Sequence, residues 1–157
     1  MERRAIIVIG IAWLLYTASW FFQVIKDGTT LSLGGLPGWE AFHTALTLED
    51  VEESTGLVRR ILIVSSSLTN FLMILSPAIL FWRRFGSLKR ALPWLLILAA
   101  ILDSHWFIVM LMGSEPWDEL RAGYYLWCAS FLVLAIGCFL DQRRGRPAKA
   151  TSGNGAA

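Results

Sequence analysis

Four blocks of the chain are almost free of polar residues: Ala5 to Ile25, Ile61 to Trp82, Ala91 to Met112 and Ala122 to Leu140. Each is about 20 residues long, the length at which a helix rising about 1.5 Å per residue crosses about 30 Å of hydrocarbon. Three carry no charge, and the third carries only Asp103. In lipid the backbone amides must pair within the segment, and these runs are too long and continuous for barrel strands. The pattern predicts an all-α integral membrane protein, a four-helix transmembrane bundle occupying residues 1–142.

The segments between the blocks differ in character. The first connection, Lys26 to Arg60, opens with the turn signals Asp27-Gly28 and Gly34-Gly35. Pro37 then suits a first helical turn, and Trp39, Phe42, Ala45 and Leu46 recur at helical spacing. A short amphipathic helix at the outer membrane surface is expected, with Trp39, Phe42 and His43 as a docking surface. The acidic run Glu49 to Glu53 reads as a solvated face, since the ligand spacing and central Gly of a calcium loop are missing. Residues 143–157, basic and rich in small side chains, read as a disordered tail whose arginines rest on anionic lipid.

Composition agrees with the pattern, at 55% hydrophobic residues and a mean hydropathy of +0.55. A water-soluble domain of this size has no core able to hold such runs. The net charge of +2 gives no electrostatic argument for a nucleic-acid partner. Of the 14 Lys and Arg, ten stand at Arg3, Arg4, Arg83, Arg84, Lys89, Arg90, Arg143, Arg144, Arg146 and Lys149. The first and third connections hold acids instead, among them Asp27, Glu40, Glu115 and Asp118. The positive-inside rule therefore places both termini and the Arg83 to Arg90 turn in the cytoplasm, as in a bacterial inner membrane. Met1 to Ser19 also has the basic start and apolar stretch of a secretory signal. Its long run and its bulky Trp13, Tyr16 and Trp20 favour a retained span.

Candidate chemistry is confined to a polar layer within the spans. Ser66, Ser67, Thr69 and Asn70 on the second share a depth with Asp103, Ser104 and His105 on the third. A carboxylate at helix centre costs a few kcal/mol on insertion scales, and no Lys or Arg lies at that depth. The expectation is a neutral Asp103 hydrogen-bonded to Asn70, with Ser66 and His105 as further partners. Such a layer either glues helices together or forms a ligand or proton site. On the fourth span Gly123, Ser130 and Gly137 recur every seven residues, a stripe that lets a neighbouring helix approach closely. Cys128 and Cys138 are too far apart along one helix to bridge, and no metal-ligand spacing or cofactor motif is evident. Without a nucleophile beside a base or paired carboxylates, the sequence gives no argument for an enzyme. The function expected is that of a non-catalytic accessory or assembly subunit, or a homo-oligomer, in contact with the lipid bilayer and a membrane-protein partner. A small proton-coupled carrier using Asp103 is the alternative, and a membrane enzyme the second alternative.

Overall fold

A computed structural model describes residues 3–25, 36–47, 56–81, 86–105, 107 and 120–144. These form α1 (Arg3–Phe21), β1 (Gln23–Ile25), β2 (Leu36–Pro37), α2 (Gly38–Thr47), α3 (Leu57–Phe81), α4 (Gly86–Asp103) and α5 (Ala122–Arg144). The architecture is helical, and Arg3–Phe21, Arg60–Phe81 and Ala122–Arg143 are long and apolar enough to cross a membrane. Helix α4 has 18 residues but includes Lys89, Arg90 and Asp103. Most of the far end of the expected third span (106 and 108–112), the acidic run at 49–53 and the tail at 145–157 lie outside the described residues.

A layer of polar side chains is buried within the apolar core, and apolar side chains cover the surface. Ser19, Ser66, Ser67, Thr69, Asn70, Ser76, Asp103 and Ser130 are all buried, while Ile7, Leu14, Leu75, Leu98, Ile101 and Ile136 are among the large apolar side chains at the surface. In water that arrangement would expose apolar stripes on every long helix, where a soluble bundle carries its charges. Surrounded by hydrocarbon, the same stripes are the solvated face.

Helix α1 packs most extensively on α5, α5 also packs on α4, and α4 on α3. At two glycines of the predicted stripe α5 comes close to α1 and the extended segment that follows it. A Cβ built on Gly137 would lie 2.8 Å from Ile9 Cγ1, and one on Gly123 2.6 Å from the Gln23 carbonyl oxygen. Ser130 between them is fully buried and donates to the Trp127 carbonyl at 2.6 Å. Between those two contacts α1 with its extension advances 14 residues while α5 retreats 14, the register of antiparallel helices. The same register sets Arg3 level with Arg143, so the basic ends of α1 and α5 coincide.

Helix α1 ends at Phe21, four residues short of the expected Ile25, because the chain there is drawn into a small crown. Gln23 pairs with Pro37 and Ile25 with Leu36 in an antiparallel ladder. Arg121 N donates to the Val24 carbonyl at 2.9 Å and Gly38 N to the Phe22 carbonyl at 3.2 Å. Backbone that has left the helix must find partners, and these bonds supply them. Pro37 stands immediately before α2, in line with the expected helix start.

Two prolines lie inside helices, and each removes the N–H that would reach the carbonyl four residues back. Pro77 leaves the Met73 carbonyl, which accepts from Ser76 Oγ at 2.7 Å. Pro93 leaves the Lys89 carbonyl, which accepts from Gln142 Nε2 at 2.6 Å. The second repair also ties the basic end of α5 to α4.

Candidate functional site

The polar layer resolves into two adjoining clasps, set by neighbouring residues on α3. Successive residues of a helix point about 100° apart, so Thr69 faces α4 while Asn70 faces α1 and α5.

Asn70 is the centre of the first clasp. Its side-chain oxygen accepts from the Tyr16 hydroxyl at 3.1 Å and from Trp127 Nε1 at 3.0 Å. Its amide nitrogen donates to the Ser67 carbonyl at 3.0 Å. One amide therefore links α1, α3 and α5. Rings stack edge-on around it, with Trp13, Tyr16 and Trp20 at centroid spacings of 5.7 and 5.8 Å. Trp127 uses its one donor here.

Asp103 is the centre of the second. It is fully buried at the last residue of α4. Thr69 Oγ1 lies 3.2 and 3.1 Å from its two carboxyl oxygens, and the Tyr124 hydroxyl donates to its backbone carbonyl at 2.8 Å. This clasp joins α3, α4 and α5. The expected partner, Asn70, is engaged elsewhere, and its neighbour Thr69 takes its place.

The same residues close the end of α4. The last turn of a helix leaves carbonyls without intrahelical donors. The Ala100 carbonyl accepts from Ser104 N at 3.0 Å and Ser104 Oγ at 2.7 Å. The Leu102 carbonyl accepts from His105 Nδ1 at 2.6 Å, and Asp103 O from Tyr124. His105 thus turns back onto its own helix.

Of the other sequence-predicted residues, Ser66 is buried, donates to the Ile63 carbonyl at 2.9 Å, and meets Asp103's clasp only through its own carbonyl, which accepts from Thr69 Oγ1. On α1, Tyr16 joins the layer, while the adjacent Thr17 is exposed. The expected docking trio divides. Trp39 and His43, four apart, share the exposed face of α2, whereas Phe42 turns inward against Trp20 and Phe71 at centroid distances of 5.4 and 6.3 Å. Cys128 and Cys138 are free thiols. Among the described residues no three His, Cys, Asp or Glu side chains gather as they would around a metal ion.

Tyr16, Thr69, Tyr124 and Trp127 carry bonds that the sequence did not assign to them. A faint signal exists in Tyr16, which shares the stripe of Ala5, Ile9, Ala12 and Ser19 that α1 buries. No protein-family model matches the chain, and comparison with curated proteins and with solved structures finds no match either.

Proposed function

We propose that this chain is a non-catalytic membrane protein of four spans with both termini in the cytoplasm, acting as an accessory or assembly subunit or as a homo-oligomer. The observation that carries this reading is the fate of the polar layer: each of the eight buried polar side chains bonds to another helix or to its own backbone. Interhelical bonds of this kind fix helix packing in an apolar phase. A solute path needs polar groups left available along a route, and here Thr69, Asn70 and Asp103 are engaged between helices while the serines donate within their own helices.

The fourth span is supported by the lipid-like face of α4, where Trp94, Leu98 and Ile101 are each more than 60% exposed. The orientation is supported by the shared basic end of α1 and α5 and by the Gln142 tie to Lys89. The exposed face of α2, bearing Trp39, His43 and Leu46, offers the contact for a partner subunit or a second copy.

Reporter fusions after Ala157 and at Gly34 test the topology, with the first expected to read cytoplasmic and the second external. Proteoliposomes holding a pH-sensitive dye test the rest: under an imposed membrane potential the protein is expected to conduct no protons above the lipid background. Proton flux that Asp103→Asn abolishes would overturn the subunit reading in favour of a proton-coupled carrier.

A further inference from the structure

At the crown end, between α1, α3 and α5 and beneath the inner face of α2, lies a half-enclosed cavity of about 100 Å³. For scale, an apolar protein cavity of about 150 Å³ takes up benzene. The space therefore suits a single ring or a short stretch of chain. Its walls are aromatic, with Trp20 and Phe42 on one side and Tyr124 and Trp127 on the other. None of the described residues lining it is charged. An ion brought here would lose its hydration with no opposite charge to compensate, so an occupant must be neutral.

The polar part of the lining is specific about what it can receive. Ser19 donates its hydroxyl hydrogen to the Tyr16 carbonyl at 2.7 Å, and Ser66 and Ser67 donate theirs to the Ile63 carbonyl at 2.9 and 3.1 Å. A hydroxyl has one hydrogen and two lone pairs, so these three lining residues have only acceptor capacity to offer an occupant. Asn70, also in the wall, has the opposite surplus. Its oxygen already takes two hydrogen bonds, and its amide uses one N–H on Ser67, leaving the other without a partner among the described residues. Asn70 is 5% exposed, and a buried N–H left unmade is unfavourable. One group satisfies both kinds of site at once, because a hydroxyl donates one hydrogen and accepts another.

We propose that this cavity binds a neutral amphiphile bearing a hydroxyl on an apolar ring or chain, a lipid alcohol or phenol drawn from the surrounding apolar phase. The aromatic walls hold the apolar body edge-on or offset, and the Ser66, Ser67 and Asn70 groups take the hydroxyl. Phe42 and Ala45 place α2 as the wall that any occupant touches from the opposite side.

Because Trp20 and Trp127 line the cavity, heavy-atom quenching of indole fluorescence reads occupancy directly. The full chain in mild detergent is titrated with 4-bromophenol and with 4-bromoanisole, which differ in the hydrogen-bond donor. Quenching by 4-bromophenol is expected to saturate, with an affinity about five- to tenfold above that of the ether, the worth of one hydrogen bond. Ala45→Phe, which fills the space from α2, should remove the saturable component. Ser66→Ala combined with Ser67→Ala keeps the space and should bring the two probes to equal affinity, which preserves the test if the Ala45 variant does not fold. Equal saturation by both probes in the parent protein would overturn the proposal and describe a slot for acyl chains. Linear quenching by both, unchanged in either variant, would overturn it by showing no site at all.

Discussion

Adding one methyl group at each of three glycines tests the α1–α5 seam, because the structure gives each a different surrounding. At Gly123 a new Cβ would stand 2.6 Å from the Gln23 carbonyl oxygen and 2.7 Å from that of Phe22, where ordinary contact begins at 3.4 Å. The segments must part by about 0.8 Å to admit it. Neither oxygen belongs to a movable side chain, and that of Phe22 also holds Gly38 N at 3.2 Å. Gly123→Ala should therefore destabilise by about 1 to 3 kcal/mol, the range for forced overpacking. At Gly137 the obstacle is Ile9 Cγ1 at 2.8 Å, a side-chain atom that can swing aside only by turning χ1 of a buried β-branched residue. Turning it costs about 0.5 to 1.5 kcal/mol, and the gain of Ala over Gly inside a helix, about 0.8 to 1.0 kcal/mol, offsets most of this. Gly137→Ala should be nearly neutral. Gly10 has nothing within 4 Å, so Gly10→Ala keeps the helical gain alone. Thermal unfolding in detergent, followed by a thiol-reactive dye as Cys138 leaves its 1% exposed site, should rank the variants Gly10→Ala, Gly137→Ala, Gly123→Ala from most to least stable. A Gly123→Ala protein that melts at or above Gly10→Ala would refute the close approach of the crown to α5.

The proline repair predicts a coupled pair: Gln142→Leu should cost about 1 kcal/mol by leaving the Lys89 carbonyl unmet, and almost nothing once Pro93→Ala has returned an N–H to that carbonyl. Additive losses in the double-mutant cycle would rule the repair out. Asp103 should be a neutral acid at neutral pH, because Thr69 Oγ1 has a single hydrogen yet contacts both the Ser66 carbonyl and the Asp103 carboxyl, which leaves the carboxyl to donate. Infrared difference spectra against Asp103→Asn should show a carboxylic-acid carbonyl band, and a carboxylate band in its place would sink this assignment.

Legibility in the sequence followed the kind of signal each feature leaves. The positions of α1, α3 and α5 were readable because unbroken apolar runs leave few alternatives, whereas α4 runs from Gly86 to Asp103 where a span from Ala91 to Met112 was expected, so Asp103 stands at a helix end and not at its centre. The close approaches at Gly123 and Gly137 left a signal because a spacing in multiples of seven keeps residues on one face. Partners within the polar layer were not. Counting residues fixes depth along a helix but leaves rotation about its axis open. Thr69 and Asn70 differ by one step in height and about 100° in direction, and so do Tyr16 and Thr17. Depth alone joined Asp103 to Asn70, whereas direction selects Thr69 for Asp103 and Tyr16 for Asn70. The end of α1 was misjudged for a different reason. Phe22 to Ile25 is as apolar as the helix before it, and only pairing with Leu36 and Pro37, distant in sequence, makes it extended.

The pairing of α1 with α5 bears on the order in which the protein can be made. On the four-span reading, the first helix enters the bilayer with its seam of Ile9, Ala12 and Tyr16 already exposed, and its main partner begins about 100 residues later, at Ala122. At about 5 to 20 residues per second, ribosomal synthesis leaves α1 without α5 for roughly 5 to 20 s. Through that interval α2, α3 and α4 can insert, but the Asn70 amide lacks Trp127 and the end of α4 lacks Tyr124. Helix α5 completes both clasps together, so the bundle closes as a single event that waits for α5.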